Sequence, residues 1–266
     1  MLLRLVGKWL RAGVLEGGSL THPETGTPQG GVVSPILANV YLHEVLDVWF
    51  EDVVAPRMRG AASLGRFADD AVFVFAREDD ARLVAAVLPK RFAKCGLRLH
   101  PEKTRLVPFG RPRSRRPRGS AETLTFLGLT HYWGRSRRGV PVVKRKTAKD
   151  RFSRSLKAVR TWCRTHRHLP IAEQQRVLGR KLLGHYAYYG ITGNARALAR
   201  FWWEVRRSWR QWLDRRSNSS RMSWERFNRL LMRYPLPPPR VVHSVHSTAA
   251  SPRSEEPDAV VLHVRI

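Results

Sequence analysis

Strand-forming residues crowd both sides of a short polar break at Ala68-Asp69-Asp70: Leu64 and Phe67 precede it, and Val72, Phe73, Val74 and Phe75 follow. That pattern predicts a tight β-hairpin with the two aspartates at its tip. The apolar period then lengthens. Leu83, Val84, Val87, Leu88 and Phe92 predict one face of a helix begun by Asp79 and Asp80 and closed by Gly96. Upstream, Val33, Ile36, Leu37, Val40, Tyr41, Val45, Val48 and Trp49 also follow helical spacing. There Ser34 reads as the N-cap and Pro35 as the first helical residue, where its missing N–H costs nothing. Short strands are expected at 97–99 and 104–107 around the turn Pro101-Glu102-Lys103. From Lys144 the pattern is helical in three seams: Phe152, Leu156, Val159 and Cys163; Val177, Leu178, Leu182, Tyr186 and Tyr189; and Ala195, Leu198, Trp202, Val205, Trp209 and Trp212. The tryptophans read as core. Residues 217–233 predict one more short helix, and the Pro-rich run after Tyr234 leads into a segment expected to be poorly ordered from about 235.

Charge divides the chain where the period does not. Of a formal net charge of +28 over 266 residues, residues 1–110 carry only +2, with 14 basic and 12 acidic side chains. The remainder holds 35 basic and 9 acidic residues. A nearly neutral half joined to a strongly basic one points to a partner that is a polyanion. Arginine dominates the basic half, which suits bidentate phosphate contacts and stacking on bases. Arg196, Arg200, Arg207 and Arg210 lie along one face of the third helix and are the candidate nucleic-acid contacts. The run from Arg111 to Gly119 reads as a basic loop. Two cysteines, Cys95 and Cys163, argue against a disulfide framework and for a reducing, cytoplasmic compartment. Cys163 with His166 and His168 lacks a fourth ligand for zinc. The opening apolar run is too short to span a membrane and carries Arg4 and Lys8.

The candidate chemistry sits at the hairpin. Two adjacent carboxylates repel one another, and a divalent cation removes that cost. Hard oxygen donors on one edge suit Mg²⁺, which keeps several waters and shares its remaining positions with substrate phosphates. The alternative for the pair alone is a solvated turn that uses aspartate twice. Its neighbours change the balance. The stretches Gly26-Thr27-Pro28-Gln29-Gly30-Gly31 and Ser34-Pro35-Ile36-Leu37-Ala38-Asn39, then Phe67-Ala68-Asp69-Asp70, then Gly96 to Thr104, then Thr125-Phe126-Leu127-Gly128-Leu129 occur in one order across roughly residues 1–133.

In that order and spacing the chain resembles the palm of reverse transcriptases, and within them the group II intron reverse transcriptase/maturase family, which usually has Tyr where this chain has Phe67. The resemblance implies an α+β fold: a partial polymerase palm, an antiparallel sheet with packing helices over 1–133, followed by an α-helical thumb/maturase bundle over 144–216, with 217–266 as a C-terminal extension. The stretch from Gly184 to Gly190 is the most familiar part of that bundle. The resemblance further implies RNA-directed DNA polymerase chemistry with two Mg²⁺ ions, Asp69 and Asp70 being catalytic and metal-holding. Gln29, Gly30, Phe67 and Lys103 would meet the template–nucleotide pair and its phosphates, although Lys103 alone also reads as a solvated turn residue. Phe126, Leu127 and Gly128 would grip the primer. Partners would be intron or template RNA, an RNA–DNA hybrid and deoxynucleoside triphosphates. The family's third metal carboxylate lies on a first palm strand, and no acidic residue precedes Glu16 here. The chain is therefore expected to be the C-terminal part of a longer polymerase, incompetent alone and completed by an N-terminal fingers/palm chain. The alternative is a non-catalytic RNA-binding maturase remnant that supports splicing, or a decayed gene.

Overall fold

The hairpin expected around the aspartates is the start of an antiparallel sheet. The computed structural model describes residues 2–10, 14–16, 19–21, 33–111, 122–136, 138–216, 221–244 and 260–266. The chain is α+β and divides into two units, residues 1–110 with 256–266 and residues 111–255. The expected boundary near 133 falls inside the second unit.

In the first unit, α1 (Leu2–Leu10) and a small hairpin of β1 (Val14–Glu16) and β2 (Ser19–Thr21) precede α2 (Ser34–Leu42). Val33, not Ser34, caps α2: its carbonyl accepts from the Ile36 and Leu37 N–H groups, and no side chain caps the helix. The helical path continues through His43–Val48 and Phe50–Val54 in wider i→i+5 turns and ends in the 3₁₀ turn Ala55–Arg57. Each wide turn takes up extra residues, so the buried face runs Leu42, Leu46, Phe50, Val54, four apart. Ile36, Val40 and Tyr41, expected on the buried face, are exposed.

Strands β3 (Ala62–Phe67) and β4 (Asp70–Phe75) pair antiparallel from Ala62↔Phe75 to Phe67↔Asp70. Helix α3 (Glu78–Lys94) follows, and β5 (Arg105–Pro108) comes after a turn at residues 101–103. The helix buries Ala81, Val84, Leu88 and Phe92, while Leu83 and Val87 stay exposed. Asp80 is buried too, because it accepts from the Gly60 N–H at 2.9 Å. Residues 97–99 form no strand.

The largest departure from expectation lies at the far end of the chain. Val260–Arg265 is a strand, β9, seated between β4 and β5 and antiparallel to both, in the order β3-β4-β9-β5. The expectation of poor order from about 235 fails there. Val260, Leu262 and Val264 join Phe50, Phe73, Phe75, Leu88 and Phe92 in one core, a burial that offsets the cost of ordering the segment.

The second unit combines a three-stranded sheet with helices. Strands β6 (Leu124–Phe126), β7 (Leu129–Arg135) and β8 (Pro141–Thr147) pair in order, β7 along its whole length with β8. Helices α4 (Lys149–Thr165), α5 (Ile171–Tyr189), α6 (Ala195–Asp214) and α7 (Trp224–Arg233) share a core of Leu156, Val159, Cys163, Leu178, Leu182, Tyr186, Leu198, Val205, Trp209 and Phe227. Trp202 and Trp212 pack against its edge. The fully buried Trp209 donates its indole N–H to Gln174 Oε1 at 2.8 Å, and Gln174 Nε2 donates to the Leu169 and Arg167 carbonyls. Asn194 ties sheet to helices: it accepts from the Thr147 N–H and donates to Thr147 Oγ1 and the Tyr189 carbonyl.

Candidate active site and nucleic-acid interface

The turn that carries the aspartates is only two residues long, Ala68 and Asp69, with Asp70 already the first residue of β4. Ala68 takes φ +53°, the left-handed conformation that two-residue hairpin loops require and that glycine normally supplies. The cost, roughly 1 kcal/mol for a residue with a Cβ, is met by Arg66 on β3. Its guanidinium donates to the Ala68 carbonyl at 3.1 Å, to Asn39 Oδ1 at 2.9 Å, and as a fork to both carboxylate oxygens of Asp47 at 2.7 and 2.6 Å. One arginine thus fastens the turn to the helix behind it. Burial raises the Asp47 pKa, but the Arg66 and His43 hydrogen bonds and charges outweigh it and hold the carboxyl below its usual range. The Asp47 hydrogen bond raises the Arg66 pKa, with burial opposing. Neither Arg66 nor Asp47 stands out in the sequence; an arginine two residues before a turn was the only signal.

Asp69 is half exposed and Asp70 about a quarter exposed, and both face Arg265. The Arg265 Nε lies 3.3 Å from Asp69 Oδ2 and 3.4 Å from Asp70 Oδ1. Next to it in β9, burial holds the His263 imidazole below its ordinary pKa, with Asp70 opposing and Arg105 and Arg265 adding. Among the described residues no three His, Cys, Asp or Glu side chains gather as metal ligands. Two carboxylates on an accessible turn are nevertheless the donors Mg²⁺ takes when water and substrate phosphates complete its shell. The arginine drawn to them shows that the pair demands positive charge. In donor chemistry the pair fits Mg²⁺.

The remaining candidates are dispersed. Phe67 sits opposite Asp70 and is 64% exposed. Lys103 is exposed on the turn after α3. Gln29 and Gly30, with the rest of their loop, lie outside the described residues, as does the basic loop from 112 onward. Phe126, Leu127 and Gly128 belong to the second unit. Leu127 and Gly128 form the β6–β7 turn with φ +49° and +71°, and Tyr188 Oη donates to the Leu127 carbonyl at 3.1 Å. A Cβ on Gly128 would meet Tyr189 Oη at 3.1 Å, so the turn is fitted closely to α5.

Arg196 and Arg200 line a cavity of about 1030 Å³ walled by β7, β8, α4 and α6. The structure adds Lys146, Lys149, Lys157 and Arg160 to that wall, with Glu204 as the acidic residue among them, paired to Arg160 at 2.8 Å. Lys146 Nζ stands 5.1 Å from the Tyr132 ring centroid and the Arg200 guanidinium 5.4 Å from that of Phe152. The sequence reading missed this set because its members come from a strand and two helices. Arg207 and Arg210 are not in the cavity. Arg207 is exposed, and Arg210 donates to the Met222 carbonyl at 2.6 Å and covers the Trp224 ring, holding the chain before α7. Cys163 is buried, and burial pushes its thiol up to about 12. It is a core residue. No helix among the described residues is long and apolar enough to cross a membrane.

Residues 5–131, which include the carboxylate hairpin, match the reverse transcriptase (RNA-dependent DNA polymerase) family. The chain is 52% identical over 42 residues to the group II intron-encoded protein LtrA of Lactococcus lactis subsp. cremoris, 16% of this chain and 7% of that protein. Over 51 residues it is 47% identical to a 91 kDa protein in the cob intron of Schizosaccharomyces pombe, 19% of this chain and 6% of that protein. The matched stretches span less than a tenth of either relative.

Proposed function

We propose that this chain serves RNA-directed DNA synthesis of the group II intron type, in which a deoxynucleotide is joined to a primer 3′-hydroxyl with Mg²⁺ held at Asp69 and Asp70. The observation that carries the reading is the carboxylate pair on a turn locked to the helix behind it by Arg66. Bound Mg²⁺ would supply positive charge to the phosphate oxygens as charge develops on them. Asp69 and Asp70 present oxygens at one end of the sheet, on a turn that Arg66 fastens through the Ala68 carbonyl. Phe67 beside them offers an apolar face to a nucleotide; Gln29 and Gly30 would contact the template–nucleotide pair and Lys103 its phosphates. In the second unit, which takes the part of thumb and maturase bundle, the turn of Phe126, Leu127 and Gly128 would meet the primer. The cations of the cavity, with Arg196 and Arg200, would hold template RNA or the RNA–DNA hybrid by its backbone.

Alone, the chain is expected to be inactive, since two carboxylates bridged by an arginine hold a metal ion poorly. The test is Mg²⁺-dependent primer extension on an RNA template, by the chain alone and with a second polypeptide carrying the upstream part of the family's domain. Extension in the mixture, abolished by Asp69→Ala, is expected. Extension that survives Asp69→Ala would overturn the assignment. A second reading, an RNA-binding maturase that supports splicing without polymerising, is favoured by a cation-walled cavity that does not depend on the aspartates. It predicts RNA binding unaffected by Asp69→Ala and no extension in any mixture.

A further inference from the structure

Strand β9 brings a cation to the Asp69–Asp70 pair of the first unit. The register sets Arg265 directly opposite Asp70. The strand end is fastened on both sides: the His100 N–H donates to the Arg265 carbonyl at 2.8 Å, and the Ile266 N–H to the Asp69 carbonyl at 3.0 Å. Val260, Val261, Leu262 and Val264 are buried on the two faces of the sheet. Such a strand does not leave its slot without a large loss of apolar burial. The Arg265 side chain is different. It is 39% exposed at the end of the sheet, reaching two carboxylates that are themselves partly exposed. It can swing away while the strand stays.

We propose that Arg265 is a built-in competitor for cations at the Asp69–Asp70 pair, so that the C-terminal strand is an autoinhibitory latch on that site. This rests on the reading of the pair as the divalent-ion site. A guanidinium at 3.3–3.4 Å from both carboxylates already supplies one of the two positive charges a divalent ion would bring and occupies their oxygens, and two cations on one carboxylate pair repel. Arginine does not lose its proton in the accessible pH range, so the competition is relieved only by moving the side chain. The site therefore opens by a rotamer change, with the sheet intact.

The experiment is a Mn²⁺ titration of the full chain at low ionic strength, followed by the loss of the free-ion paramagnetic resonance signal. Arg265→Gln should bind Mn²⁺ at least about tenfold more tightly than wild type. Arg265→Lys, which keeps the charge, should stay near wild type. Arg265→Asp, which sets a third carboxylate across from Asp70, should bind more tightly than Arg265→Gln. Amide-exchange protection of residues 72–75 reports whether β9 remains seated in each variant. Should a variant unseat the strand, the wild-type chain decides: on Mg²⁺ titration the Arg265 Nε–H resonance should move with the same midpoint as the Asp69 amide. Binding by a seated Arg265→Gln no tighter than wild type, or an unmoved Arg265 signal while Asp69 responds, overturns the latch and leaves the carboxylate site standing. Binding that is indifferent to Asp69→Asn with Asp70→Asn in every variant overturns both.

Discussion

Replacing Lys149, Lys157 and Arg200 together by glutamine should change how RNA affinity responds to salt more than it changes the fold. All three side chains are exposed on the cavity wall, so their removal takes nothing from the core. Six cations line that wall, and Arg160 is already paired with Glu204, which leaves five for phosphate. Each neutralised phosphate releases about 0.7–0.9 of a condensed counterion, so five contacts give a log–log salt slope of roughly −3.5 to −4.5. Between 50 and 200 mM salt the wild-type affinity should then fall roughly 100- to 500-fold, and that of the triple variant, with about two contacts left, only about tenfold. The assay is binding of a structured RNA at several salt concentrations, with helix content and thermal midpoint recorded for both proteins. Arg210→Gln is the contrast: it releases the Met222 carbonyl and the Trp224 ring, and should lower the thermal midpoint while leaving the slope unchanged. Equal slopes for wild type and a folded triple variant would refute the cavity as the phosphate-binding surface.

Two further outcomes test the second unit. Burial holds the His185 imidazole down to about 4, whereas the unfolded chain takes up that proton near 6.5. Between these values the unfolded state binds more protons, so stability rises with pH across about 4 to 6.5 and is complete above it, a contribution of at most about 3 kcal/mol. His185→Phe, which keeps a ring stacked 3.8 Å from Phe201, should flatten the pH dependence of the urea midpoint, and an unchanged profile would count against the buried neutral histidine. Asn194→Leu should cost about 2–4 kcal/mol, because it strips partners from the buried Thr147 N–H and hydroxyl and from the Tyr189 carbonyl; a shift in urea midpoint of less than about 1 kcal/mol equivalent would refute its role as the tie between sheet and helices.

What the sequence made legible was local. The Asp69–Asp70 hairpin follows from strand formers on both sides of a break too short for anything but a turn, and the helix seams of the second unit follow from a regular period of large apolar residues. The misreadings have separate causes. On the segment after Val33 the misread residues, Ile36, Val40 and Tyr41, lie in the regular helix α2 and are exposed, whereas Val45, on the same expected face, is buried in the wide turns that follow. On α3, Ala81 is buried while Leu83 and Val87 are exposed, so size misled where position decided. The cavity cations were hidden because Lys146 and Lys149 flank a strand–helix junction, while Arg196 and Arg200 are about fifty residues away in sequence. Charge contacts of that separation carry no period.

Strand β9 is the instructive failure, because its signal was present. Val260-Val261-Leu262-His263-Val264-Arg265-Ile266 is a β-branched run without a turn residue, the pattern of a strand covered on both faces. Its setting after a Pro-rich run suggested irregular chain instead. The sheet itself supplies the missing argument. With β3 on one side only, β4 would present the backbone groups of residues 70–75 as an open edge beside Phe73 and Phe75, an invitation to pairing with other chains. Strand β9 closes that edge, between β4 and β5, and its apolar residues fill both faces there. That placement also sets the chemistry at the strand's end, because whichever residue stands opposite Asp70 sits on the carboxylate pair: a third carboxylate there would add a donor for the proposed cation, and an arginine competes with it. The residue at position 265 decides which.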